Sequence, residues 1–264
     1  MEASYTIIYG LVQGVTEFLP VSSSGHLALI PHFLKISDPG VAFDLAMHLG
    51  TALSICCYFY KEIKELLWQT FNIFQLKYKE FPYALNMMVA TLTTFLVALG
   101  IKGIAEVYGR GPKMIAANLI VFGVLMFIAD YRGSKGVTNT MYQKFQWKKS
   151  FLIGFFQALA IFPGVSRSGS TLTISRFIGM SREEATRFSF LLSLPVIFGG
   201  MIFKGRELFE NPSVDWSAIS IGLTVSFLTG LLTIHYFLKF IKKMGLGLFS
   251  IYRILFALFL LSYF

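Results

Sequence analysis

The sequence predicts an all-α integral membrane protein: an inverted-topology repeat with about six transmembrane helices and two re-entrant broken helix-loop-helix segments. Three observations carry this. Of 264 residues, 55% are hydrophobic and only 14% charged, against about 25% charged in soluble domains. Mean hydropathy is +0.65. Most apolar runs are 17–25 residues long, the length that crosses a bilayer as a helix. Two others are broken in the middle by Pro, Gly and Ser, and these two resemble each other.

The elements follow in order. The opening "MEASYTIIYG" has no basic n-region and no small-residue cleavage site, so no removable signal peptide is expected. Residues 4–34 form the first broken segment, with halves too short to cross. Crossings are expected over 41–60, 84–105 and 114–131. Residues 150–180 form the second broken segment, and further crossings are expected over 184–203, 216–237 and 247–264. Helices rather than barrel strands are expected because the runs are long and unbroken. Length suits one membrane domain over 1–264. Cys56 and Cys57 are adjacent in an apolar run and suggest neither a disulfide nor a zinc site.

The two broken segments align at a fixed offset of 144. "GLVQGVTEFLPVSSSGH", Gly10–His26, matches "GFFQALAIFPGVSRSGS", Gly154–Ser170, at seven of 17 positions, where chance gives about one. The chain therefore reads as two repeats, about 1–145 and 146–264. Three crossings follow each broken segment. An odd number inverts the second repeat, which brings the two breaks together from opposite faces.

Loop charge sets the orientation. One set of loops carries fifteen Lys and Arg, among them Lys61, Lys64, Lys77, Lys79, Lys135, Arg182 and Lys242. The other carries six: Lys35, Lys102, Arg110, Lys113, Lys204 and Arg206. The basic side is expected to be cytoplasmic. The net charge of +9 belongs to these loops, and nucleic acid is excluded as a partner.

The breaks carry the chemistry. Non-helical backbone at membrane depth must be packed in protein or line a wet cavity. Ser22, Ser23, Ser24 and Gly25 on one side, and Ser166, Arg167, Ser168 and Thr171 on the other, offer hydroxyls, free N–H groups and one guanidinium. That is a phosphate cradle. Gln13 and Glu17 are i and i+4 on one helix face and offer hard oxygens to Mg²⁺ or Ca²⁺. His26 can exchange protons near neutrality. Ser23 is a candidate nucleophile if His26 comes within reach of it. The nucleophile is left open between Ser23, His26 and water.

Each residue also has a plain structural reading. The prolines can simply end helices, and a lone serine packs helices together. Glu17 can be a structural partner of Arg167. Asp44 and His48, i and i+4 in a crossing, read equally as support for the site or as a buried pair. His32 and His235 are placed at the membrane interface. Arg253 is expected to snorkel or pair. Ser181 and Glu184 have the spacing of a capping box. There is no GK[ST] P-loop, HExxH, CxxC or GxGxxG. From the residues alone, an enzyme and a transporter of a phosphorylated lipid carrier are equally supported.

"QGVTEFLPVSSSGH" and "PGVSRSGST" resemble the two signatures of the undecaprenyl pyrophosphate phosphatase, or bacitracin-resistance, protein family. The resemblance spans essentially the whole chain. It implies an integral membrane hydrolase of the bacterial cytoplasmic membrane that converts undecaprenyl diphosphate to undecaprenyl phosphate and inorganic phosphate. That reaction recycles the carrier lipid for peptidoglycan synthesis and confers bacitracin resistance. The resemblance also implies a divalent cation and a site opening to the outer face. By motif position it makes Glu17, Ser23, His26, Ser166, Arg167, Ser168 and Thr171 functional. Many members carry Glu where this chain has Gln13, which removes one negative charge. Expected partners are the prenyl diphosphate lipid, membrane lipid and, as an open alternative, a second copy of the chain.

Overall fold

The computed structural model describes residues 2–73, 80–108, 111–133, 141–210 and 215–264, which form helices and turns and no strand. Helix α1, Ala3–Thr16, ends in the first break. Two five-residue helices follow, α2 over Ser23–Leu27 and α3 over Ile30–Leu34. Next come α4 (Val41–Tyr58), α5 (Tyr60–Ile73), α6 (Pro82–Tyr108) and α7 (Pro112–Gly133). Helix α8, Trp147–Ala158, runs through a 3₁₀ turn into the second break. Then follow α9 (Arg167–Phe177), α10 (Arg182–Glu210), α11 (Trp216–Met244) and α12 (Gly247–Tyr263).

Among the described residues, four helices are long and apolar enough to cross a membrane: Pro82–Ala105, Pro112–Gly133, Arg182–Phe203 and Trp216–Met244. The other two expected crossings are shorter apolar helices, Phe43–Tyr58 and Gly247–Tyr263. The span expected over 216–237 runs on to Met244, and Lys242 and Lys243 in its last turn complement the helix dipole. The basic loop residues Lys77, Lys79, Arg110 and Lys135 lie outside the described residues.

Local chemistry sets the helix ends. Ser181 and Glu184 form the expected capping box, with Glu184 N–H donating to Ser181 Oγ at 3.1 Å and Ser181 N–H to Glu184 Oε2 at 3.4 Å. Asp215 caps α11 by accepting from Ala218 N–H at 3.1 Å. Helix α5 was not foreseen. It has no buried residue and exposes Leu67, Trp68 and Phe71 beside Lys61, Glu62, Lys64 and Glu65, the mixture of an interfacial helix.

In lipid, apolar surface alone does not drive helices together, so association rests on close packing and interhelical bonds. Helix α1 packs on α11, α8 on α6, and α7 on α12. Gly10 and Gly154, equivalent at the offset of 144, are the contact points. A Cβ on Gly10 would lie 2.9 Å from Gly222 O in α11, and one on Gly154 only 2.3 Å from Ala90 O in α6. Phe18, next to the first break, is buried at the centre of the main core with Phe59, Phe188, Phe190 and Phe237. At one end Asp130 of α7 gathers three elements. Arg176 Nε donates to its Oδ1 at 3.1 Å, Arg182 Nε to the same oxygen at 2.8 Å, and Leu246 N–H to Oδ2 at 2.9 Å.

Candidate active site

The first break begins where Glu17 caps α1. The chain turns through Pro20 and reaches Ser22, whose φ of 78° lies in the left-handed region that non-glycine residues seldom occupy. The second break repeats this geometry: Ser166, 144 residues on, has a φ of 71°. Its Oγ accepts from Gly169 N–H at 3.1 Å and so caps α9. In both segments the strained serine starts the next helix.

The two breaks touch. Arg167, the first residue of α9, forms an ion pair with Glu17. Its Nη1 also donates to Ser193 O at 3.2 Å. Ser168 Oγ donates to Leu19 O at 3.2 Å. Glu17 is buried, and its Oε2 accepts from Gln13 Nε2 at 3.0 Å and from Ser23 Oγ at 2.7 Å. Gln13 and Glu17 thus share a face as their spacing requires. His48 of α4 joins them: its Nδ1 lies 2.9 Å from Gln13 Nε2 and 3.3 Å from Glu17 Oε2. Of the two readings of Asp44 and His48, the geometry places His48 against the site.

The remaining sequence-predicted residues divide. Ser22 Oγ and Ser24 Oγ are 3.4 Å apart, with Ser22 buried and Ser24 exposed. Gly25 is buried beside Ser22. His26 turns to α12. Its Nδ1 is 2.8 Å from Ser22 O, its Nε2 is 2.7 Å from Tyr252 Oη, and its ring stacks on Phe256 at 4.4 Å. Both ring nitrogens therefore have partners other than Ser23, whose hydroxyl is directed at Glu17 instead. Ser166 Oγ and Ser168 Oγ are 3.4 Å apart. Thr171 is fully buried, donates to Arg167 O at 2.9 Å, and lies 2.5 Å from Ser189 Oγ.

Glu17, Phe18, Arg167, Ser168, Ser189, Phe190 and Ser193 line a cavity of about 10 Å³, room for about one water. In this state the ion pair fills the space between the breaks. Ser189 and Ser193 were not singled out from the sequence. Their signal was there: two serines at i and i+4 in an apolar span put polar groups on one face. Tyr252 carried no such signal. A larger cavity of about 380 Å³ is lined by Phe59, Glu62, Tyr83, Tyr142, Glu183, Glu184, Arg187 and Leu191. No residue of either break contributes to it.

Gln13, Glu17 and Ser23 bring together oxygen donors of the kind a hard cation takes. Among the described residues no three His, Cys, Asp or Glu side chains cluster as a self-sufficient metal site. However, Gln13 Oε1 is buried without a hydrogen-bond partner, next to the Glu17 carboxylate. One carboxylate, one free amide oxygen and one hydroxyl match the sparse protein contribution typical of Mg²⁺ shared with phosphates.

The profile of the family described as bacitracin resistance protein BacA matches residues 6–259 of the chain. The chain belongs to that family.

Proposed function

We propose that this member of the bacitracin resistance family hydrolyses undecaprenyl diphosphate to undecaprenyl phosphate and inorganic phosphate, at the junction of the two broken segments. The carrying observation is the Glu17–Arg167 ion pair, which joins the one carboxylate and the one guanidinium of the two breaks.

The chemistry follows from that pair. A buried ion pair costs desolvation on both sides, and its two halves suit opposite parts of a metal diphosphate. The diphosphate takes Arg167 with a bidentate fork, assisted by Ser168 and the N-terminus of α9. Glu17 and Gln13 would hold a divalent cation, which would offset phosphate charge. The substrate thus separates the pair and opens the cavity.

Of the three nucleophiles left open by the sequence, the geometry favours Ser23, which lies 2.7 Å from Glu17 Oε2. The Ser23 Oγ–phosphorus bond forms as the bond to the bridging oxygen breaks. The hydroxyl proton passes to Glu17 and on to the departing prenyl phosphate. Water then cleaves the phosphoserine, giving inorganic phosphate and restoring the hydroxyl. His26, held between Ser22 O and Tyr252, serves proton exchange beside α2. Most of the rate gain comes from positioning and charge stabilisation.

The fold reading belongs to the same proposal. Inverted repeats are supported by the exchanged packing, α1 on α11 against α8 on α6, and by the paired positive-φ serines. The loop charge favours a cytoplasmic basic side and a site open to the outer face of the bacterial membrane. The prenyl tail stays in lipid.

The test is inorganic phosphate release from a prenyl diphosphate by purified protein in detergent. The proposal expects release that a chelator abolishes and added Mg²⁺ or Ca²⁺ restores. Tight binding without release would favour a carrier instead, because transport needs a sealed bilayer and hydrolysis does not.

A further inference from the structure

Arg253 is expected to snorkel or pair; it does not snorkel, and its partners are backbone carbonyls rather than a carboxylate. It is 0% exposed in the middle of α12. Its Nη1 donates to Pro20 O at 3.2 Å, and its Nη2 donates to Gly164 O at 2.7 Å and Val165 O at 2.9 Å. Its Nε donates to Leu119 O at 3.3 Å, and its Nη2 also reaches Asn118 O at 3.5 Å in α7. No carboxylate pairs with it among the described residues. A buried guanidinium spread over carbonyls is expensive, and a methionine would fill the same space without that cost. Packing alone therefore does not account for it.

Its acceptors do. Pro20 and Gly164 are equivalent at the offset of 144. Each carbonyl precedes by two residues the positive-φ serine, Ser22 or Ser166, that starts the following helix. One rigid fork thus holds the same point of both breaks. Helix α9 also rests on it, since a Cβ on Gly169 would lie 2.6 Å from Arg253 Nη1.

We propose that Arg253 is a positioning residue for the phosphatase reaction. It clasps the two broken segments in one register, so that Arg167 on one faces Glu17 and Ser23 on the other. The catalytic part of this inference rests on the proposed function; the clasp itself does not.

The test is Arg253→Lys in the full chain, read by hydrogen exchange and by phosphate-release kinetics. Lysine keeps the charge but is a point donor and cannot fork across both breaks. Exchange should quicken in both 18–27 and 162–170. The kcat should fall on the order of a hundredfold, the cost of about 1 Å of misplacement, and KM should change far less. A merely structural arginine would lower the thermal midpoint and leave kcat per folded molecule unchanged. Should Arg253→Lys not fold, Gly169→Ala decides: its methyl presses on Nη1 at 2.6 Å and on Ser166 Cβ at 3.0 Å, so quickened exchange in 18–27, which Nη1 alone reaches through Pro20 O, is the readout. Loosening of one segment only, or full kcat in a folded variant, would overturn the clasp. If the wild type released no phosphate at all, the proposed function would fall, while hydrogen exchange would still decide the clasp.

Discussion

The two broken segments share a backbone and divide the chemistry. Both turn at a serine of positive φ, 78° at Ser22 and 71° at Ser166. Both are entered by a helix that packs through an equivalent glycine, Gly10 or Gly154. Their side chains diverge at the positions that matter. Glu17 stands where the second segment has Ile161, Ser23 where it has Arg167, and His26 where it has Ser170. The first segment carries the acid and the hydroxyl; the second carries the cation and the better-capped helix. The two breaks share a backbone geometry, and in the proposed function the divergence between them sets what each contributes.

The largest expected effect comes from removing the second segment's cation. Arg167→Ala should lower phosphate release by at least about a thousandfold in folded protein, the scale of losing a preorganised charge at a transition state. Arg167→Lys should stay impaired by about a hundredfold, because the fork is lost. Near-normal turnover by Arg167→Ala would break the division of labour.

Next is the acid of the first segment. Glu17→Gln keeps the shape and removes the charge, leaving the half-buried Arg167 without its carboxylate. Activity should fall by about a hundredfold or more, and the thermal midpoint in detergent should drop as well, by less than the about 3–5 kcal/mol of a fully buried charge stripped of its partner. A variant equally active and equally stable would show that the pair is incidental.

Stability separates the two glycines. The Gly154 site meets rigid backbone at 2.3 Å, whereas the Gly10 site meets Val225 Cβ at 2.8 Å and Gly222 O at 2.9 Å. Gly154→Ala should therefore destabilise by about 1–3 kcal/mol, and Gly10→Ala by less because its nearest backbone atom is 2.9 Å away rather than 2.3 Å. Thermal unfolding of both in the same detergent checks the order; the reverse order would mean that the two helix contacts are not alike.

The smallest effect concerns Gln13. Gln13→Glu adds a second carboxylate beside Glu17 and should tighten the cation, so that about tenfold less Mg²⁺ restores activity after chelation. Gln157→Glu, the equivalent change in the second segment, should leave the Mg²⁺ requirement unmoved. A shift from Gln157→Glu would place the cation elsewhere.

Much of this was legible in the sequence, for physical reasons. Lipid demands apolar length, so long spans such as those expected over 84–105 and 216–237 announce themselves. Backbone at membrane depth needs partners, so Pro, Gly and Ser in an oily run mark a break. Gln13 and Glu17 meet because i and i+4 share a helix face. What stayed hidden depends on distant contacts. Nothing in the spacing of Arg253 says that it reaches Pro20 in one break and Gly164 in the other. His48 likewise reads equally as support for the site or as half of a local pair with Asp44 until its contacts with Gln13 and Glu17 decide. The direction of the Ser23 hydroxyl, toward Glu17 rather than His26, depends on the turn that brings α2 back beside α1, and no spacing of residues encodes it.

The central claim is that substrate divides the Glu17–Arg167 pair. The most direct measurement is a structure with a non-hydrolysable prenyl diphosphate and Mg²⁺ bound. The account predicts Arg167 forked on a phosphate, Glu17 and Gln13 turned to the cation, and Arg253 still on both breaks. An intact Glu17–Arg167 pair, with the diphosphate bound elsewhere, would contradict it.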